Sequence, residues 1–363
     1  MVIFGAGASY DSSPDFAPPQ PQGSIVVPGP PPAPPDPREA WRPPLANQLF
    51  RDPHAIFGDI VQAYHKLRPI MDPLRRPASG MSVEQALESL LLEANGDPER
   101  TRQLFSVRYY LHDIFLRVTQ KWLERTDRIS NYGRLLDQIR HLNRAGAPVC
   151  LVTFNYDLLL DDALVSFDYT KPQEVKLQPD AHPMFKVLKP HGSADWARLI
   201  TSSPTRSRLQ PGQLIEHAQE IQLSDNYVTA NATDPHQMFK FPQTIVPAIA
   251  IPVQTKTEDY FEWPATHRDF FLRLLPSVKQ ILTIGWQGKE AHFLNLLREH
   301  LPHGGVTQLT HLQVVGKDTD EASKISKEFT EQIRRNIMHT YTDRTEGFSN
   351  FVRQEQVGFF FKD

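Results

Sequence analysis

Val149-Cys150-Leu151-Val152-Thr153-Phe154-Asn155-Tyr156-Asp157 is the stretch on which the fold turns. An apolar run of strand length that stops in Asn-Tyr-Asp reads as a buried strand with polar side chains at its carboxyl end, the edge on which open α/β sheets keep their ligands. Further along, Phe185-Lys186-Val187-Leu188 reads as a strand running into Lys189-Pro190-His191-Gly192-Ser193. The chain opens with Val2-Ile3-Phe4-Gly5-Ala6-Gly7-Ala8-Ser9, a strand followed by a glycine turn suited to close backbone approach by a phosphate. Gln280 to Gly285 and Leu312 to Gly316 are two more buried strands, each preceding a helical pattern: Phe293, Leu294 and Leu297, then Ile325, Phe329 and Ile333. Strands alternating with helices predict an α/β fold built on a Rossmann-like, doubly wound parallel sheet.

Between the first two strands the pattern is helical. Ile56, Phe57, Ile60, Val61, Tyr64 and Leu67 recur at helical spacing. Ser82 with Gln85 forms a capping box for a helix that turns Val83, Leu87, Leu90 and Leu91 inward and stops at Asn95-Gly96. Leu104, Val107, Leu111, Phe115, Val118 and Trp122 continue the pattern, followed by Tyr132, Leu135, Leu136, Ile139 and Leu142, with Gly146 as a stop. Residues 45–145 thus read as a helical module inserted between the first and second strands of a single domain spanning 1–363. Ahead of the module, 13 of the 31 residues from Pro14 to Pro44 are proline. Each removes a backbone donor, so segment 10–44 reads as a surface loop over or beside the pocket.

The opening strand is so short that either residues are missing before it or it sits at an edge. Leu158, Leu159, Leu160, Ala163 and Leu164 read as a helix on the sheet, with Asp157 placed to cap it. Residues 168–280 are mixed and turn-rich. Within them, 244–252 is apolar but broken by proline, which suits extended lining better than a central strand. No internal repeat is found.

A 363-residue chain with 40% hydrophobic content can bury a substantial core. A net charge of −3 and a pI near 6.5 offer no electrostatic footprint for nucleic acid, so any such role would come through a partner. No apolar run is long enough to span a membrane and no leader precedes the first strand, which makes a cytoplasmic location the expectation. The single cysteine, Cys150, excludes internal disulfides and any four-thiolate zinc site.

Several sequence features carry chemistry, each beside a plainer alternative. Gly5-Ala6-Gly7-Ala8-Ser9 is not the dehydrogenase fingerprint, because the third glycine would fall at Tyr10. It either presents backbone amides to a pyrophosphate or is an ordinary strand-to-loop turn. Asn155 and Asp157 face one crevice if the backbone leaves strand geometry at Tyr156. Asn155 can then orient a water or a ribose hydroxyl, though a turn residue and a helix cap would look the same. His191, between proline and glycine, sits in a sharp turn, has a pKa class suited to base chemistry, and is less suited to packing than most of the 14 histidines. Metal patterns such as H-E-x-x-H and the serine-hydrolase G-x-S-x-G are absent, and the five tryptophans are scattered.

Taken in order, Gly-Ala-Gly-Ala-Ser, Thr153-Phe154-Asn155-Tyr156-Asp157, Pro190-His191-Gly192-Ser193 and Ile284-Gly285-Trp286 resemble the sirtuin superfamily, and its bacterial sirtuin-like branch more than its protein deacetylases. The likeness spans residue 1 to about residue 316, and Gly347 to Val352 resembles the end of such domains. Phe154 stands where deacetylases carry glutamine, and one cysteine cannot supply their four-cysteine zinc. The resemblance implies hydrolysis of NAD as substrate, without zinc, as the effector of anti-phage abortive infection. On that reading Asn155 and His191 are catalytic. Gly5, Ala6, Gly7, Ala8, Ser9, Thr153, Asp157, Gly285 and Trp286 would bind the dinucleotide. Gating would come from a homo-oligomer or a separate sensor, such as a helicase-like ATPase or an Argonaute-like protein, with the Pro-rich segment or helical module as the gate. The alternatives are a non-hydrolysing NAD or ADP-ribose sensor and an NAD-dependent deacylase or ADP-ribosyltransferase.

Overall fold

The computed structural model describes residues 1–18, 39–52, 55–144, 146–167, 177–202, 209–229, 244–253, 261–302, 309–342 and 347–361. Its strands in chain order are β1 (Val2–Phe4), β2 (Val149–Thr153), β3 (Phe185–Leu188), β4 (Gly192–Ser202), β5 (Gln222–Thr229), β6 (Ile245–Ile249), β7 (Gln280–Ile284), β8 (Leu309–Val315) and β9 (Ile337–Tyr341). Six of them form a parallel sheet in the order β3-β2-β1-β7-β8-β9. Counted along the chain this is the 3-2-1-4-5-6 order of doubly wound nucleotide-binding sheets, with the switch point between β1 and β7. The short β1 is the centre of the sheet rather than its edge. Phe4 pairs with both Thr153 and Ile284, and Ile284 with Val315, so these carboxyl ends are level.

Both faces of the sheet are covered, which explains strands that are apolar at nearly every position. Ile3, Val152, Ile281 and Val314 project into one core; Val2, Leu151, Leu282 and Val315 project into the other. Among the described residues, the helices of the first half and middle are α1 (Ala6–Tyr10), α2 (Gly58–Ala63), α3 (Arg68–Arg75), α4 (Val83–Glu93), α5 (Pro98–Arg125), α6 (Asn131–Leu142), α7 (Leu159–Val165) and α8 (Pro211–Glu216). The later ones are α9 (Ala265–Leu274), α10 (Ala291–His300), α11 (Thr319–Ile333) and α12 (Gly347–Arg353). Residues of α9, α10 and α11 complete the first core, and those of α6, α7 and α12 the second.

A third core joins α2–α5 to the antiparallel sheet β5-β4-β6. Helix α5 is 28 residues long; Asp97 accepts from the amides of Glu99 and Arg100 at its start, and Pro98 needs no donor there. Its Leu111 and Phe115 belong to the third core, while Trp122 and Leu123 reach the sheet. The capping box of Ser82 and Gln85 forms as read from sequence. The periodic run 56–67 does not make one helix. It divides into α2 and a 3-10 turn (His65–Leu67), after which α3 starts at Arg68, with Pro69 in its first turn where a missing amide is tolerated. Segment 244–252 holds a true strand, β6, but at an edge, where Pro247 loses no ladder bond that a second neighbour would require. Among the described residues no helix is long and apolar enough to cross a membrane.

Candidate functional site

Where β1 leaves the sheet, three glycines bring two backbones into contact. A Cβ on Gly5 would lie 2.5 Å from the Gly285 carbonyl oxygen, one on Gly7 2.8 Å from Gly285 Cα, and one on Gly285 2.3 Å from the Ala8 nitrogen. Gly285 also adopts φ +59°. The amides are committed as well: Gly5 N–H donates to Ile284 O, Gly7 N–H to Gly285 O at 3.1 Å, and Ala8 N–H to Gly5 O at 2.9 Å. Three of the four amides from Gly5 to Ala8 therefore already have main-chain acceptors. Among the described residues, only the Ala6 amide of the four has no recorded backbone acceptor. The glycines are needed first for strand ends to meet.

Asn155, just past β2, closes the same corner. Its Nδ2 donates to Gly5 O at 2.9 Å, to the Ser9 hydroxyl at 2.9 Å and to the Tyr132 hydroxyl of α6 at 3.1 Å. The Gly5 carbonyl can only accept, which fixes which end of the amide faces it. Its own N–H donates to Thr153 Oγ1 at 3.2 Å. Ser9 also bonds the Asp157 side chain. Burial pushes the Asp157 carboxyl above the usual carboxylate range, against the pull of Ser9, the Leu159 amide and the Lys189 charge. Asp157 Oδ1 accepts from the Leu159 amide at 3.1 Å, so it serves the first residue of α7.

His191 follows β3. Gly192 N–H donates to Lys189 O at 3.1 Å, making a turn with His191 inside it, and Gly192 takes φ +78° to reverse into β4. The imidazole is 4% exposed, more enclosed than its turn position suggests, with ring centroids of Phe154, Tyr156 and Phe261 at 4.8, 6.1 and 5.9 Å. Its Nδ1 lies 3.3 Å from Phe154 O. Since a carbonyl only accepts, Nδ1 is the donor of that contact.

These loops line one cavity of about 630 Å³. Gly5, Ala6, Gly7 and Ser9 border it from β1; Asn155 and Asp157 from β2; His191 from β3; Gly285 and Trp286 from β7. Ala8 and Thr153 do not line it: both are buried beneath. Trp286 stacks on Phe154 at 5.7 Å and 6°, with its indole N–H donating to Glu290 at 2.6 Å. Segment 19–38 of the Pro-rich stretch lies outside the described residues, yet Pro18 and Pro44 on either side line the cavity. Arg42 ties those ends down, donating to Tyr10 O at 2.7 Å and Phe16 O at 2.6 Å. Tyr132, Lys189, Glu290 and Arg42 were not singled out from sequence. Only Lys189, a charge directly after an apolar strand, left a signal there. Cys150 is buried in β2, where burial pushes its thiol up to about 12. Among the described residues, no three His, Cys, Asp or Glu side chains group as a metal ion would need.

No protein-family model matches this chain, and no curated protein does.

Proposed function

We propose that this protein hydrolyses NAD+ to nicotinamide and ADP-ribose. The observation that carries the reading is that Asn155 and His191, on loops after two different strands, border one cavity at the switch point of a 3-2-1-4-5-6 sheet. The order of sequence motifs that resembles sirtuin-like proteins supports the same substrate. In the reaction the bond between the nicotinamide nitrogen and the ribose breaks with its electron pair, leaving neutral nicotinamide and an oxocarbenium-like sugar. A water oxygen then bonds to the anomeric carbon, and its proton passes to the His191 imidazole and on to solvent. Trp286 and Phe154 supply apolar wall, and Asp157, Ser9 and the Ala6 amide supply polar contacts.

Asn155 enters this scheme differently from its sequence reading. Its amide hydrogens are held by Gly5, Ser9 and Tyr132, so it acts by fixing the β1 loop rather than by presenting an N–H to water. His191→Ala is expected to lower kcat for nicotinamide release by ~10²–10⁴-fold, the range of lost acid–base catalysis. Asn155→Ala is expected to impair both NAD+ binding and turnover. Turnover at the wild-type rate in His191→Ala removes the assignment.

The engaged Asn155 amide also favours a second reading, a sensor that binds NAD+ or ADP-ribose without turnover. Calorimetric binding with no nicotinamide released under any condition would select it. As an effector in anti-phage defence the hydrolase would be gated, by self-association or by a separate sensor protein. NAD+ consumption measured against protein concentration tests the gate, and constant specific activity at every dilution of the isolated chain refutes it.

A further inference from the structure

We infer that Lys189 is a positioning residue whose buried ammonium fastens the loop carrying Asn155 and Asp157 to the loop carrying His191. The kinetic consequence rests on the NAD+-cleaving reading; the structural one rests on geometry alone.

Lys189 is 1% exposed. An ammonium has three donors, and three acceptors surround this one: Asp161 Oδ2 at 2.5 Å, Ser193 Oγ at 2.9 Å and the main-chain carbonyl of Asp157 at 3.4 Å. Ser193 gives its own proton to Asp195 Oδ1 at 2.6 Å, which turns its oxygen toward the lysine. The Lys189–Ser193 bond thus clasps Pro190-His191-Gly192 from both sides, with the imidazole between its ends. The same nitrogen reaches past Asn155 to the Asp157 carbonyl, and through Asp161 to the first turn of α7. A buried ion pair adds little net stability, because desolvation offsets the attraction. An apolar side chain would fill the space, but would not join these three points. What the ammonium adds is a fixed relation between the two sides of the cavity.

Lys189→Met strands the Asp161 carboxylate and is expected to lose stability, so the double variant Lys189→Met/Asp161→Asn is the informative one. It is expected to melt within about 5 °C of the parent. Its kcat for nicotinamide release is expected to fall at least ~10-fold with KM for NAD+ within ~3-fold, the signature of misplacement rather than lost binding. The ¹H–¹⁵N signals of the His191 imidazole, assigned with His191→Gln, are expected to move. Should the double variant not fold, Lys189→Arg keeps the charge but replaces a compact ammonium by a planar fork that cannot make the same three bonds, and the same readouts apply. If wild-type protein releases no nicotinamide, the catalytic reading fails while the imidazole signals still test the clamp. Parental His191 signals in the folded variant, or an unchanged kcat, overturn the inference.

Discussion

A methyl group at position 192 would stand 1.9 Å from the Ala248 carbonyl oxygen, on a backbone held at φ +78°. Gly192→Ala is therefore expected to destabilise by about 2–4 kcal/mol in urea unfolding. Gly212→Ala, in a helix with nothing within 4 Å of the new carbon, is expected to be neutral or to stabilise by under ~1 kcal/mol. Equal losses from both would refute the steric account. His267 gives a second residue-level expectation. Its Nε2 donates to Leu177 O at 3.0 Å, its ring meets Trp196 edge-on at 5.1 Å, and burial pushes its imidazole down from 6.5 to about 3. The unfolded chain then binds the extra proton between those values, so this stability is whole above pH 6.5 and is lost as pH falls toward 3. Urea midpoints should show a loss of about 2 kcal/mol between pH 6.5 and 5 from this residue, one pKa unit being about 1.4 kcal/mol. His267→Gln should flatten that slope, and an unaltered slope would assign it elsewhere.

Helix α12 docks on the first loop of the chain through one carboxylate. Asp11 accepts from the Ser349 amide at 2.9 Å and from its hydroxyl at 2.5 Å, while Phe348, Phe351 and Val352 enter the sheet core. Ser349→Ala is expected to cost about 1–3 kcal/mol and to speed amide exchange in α12 ahead of the strands; uniform acceleration would mean that the helix is not separately anchored. Elements whose burial is periodic were legible from sequence: α4, α5 and α6 carry apolar residues every third or fourth place, and β1, β2, β7 and β8 are buried on both faces. Strand β4 was not legible, because its inward positions hold Ser193 and Asp195 within the lysine network. Strands β5 and β9 lie at sheet edges and expose polar residues, so neither alternates clearly.

Across the whole molecule, the helices between β1 and β2 complete a core that later segments supply. Ala194, Ile249, Ile251 and Val253 belong to the same cluster as Leu87, Leu111 and Phe115. Glu262 adds a polar tie, pairing with Arg108 of α5 and with Arg198 of β4. Residues 45–145 alone are thus expected to show no cooperative melt by circular dichroism, whereas the full chain should; a sharp transition in the fragment would make it an independent unit. The same long reach explains what the sequence withheld about the cavity. Asn155 and His191 stood out by their motifs, but the bonds that hold them come from Tyr132, Ser9 and Lys189, whose nearness only the fold creates. One consequence concerns redesign. Gly5, Gly7 and Gly285 press main chain against main chain, so the back of the chamber admits no decoration without parting two strands. Ser82, Val83 and Glu84 border the cavity from a helix start, where side chains can be exchanged without parting strands.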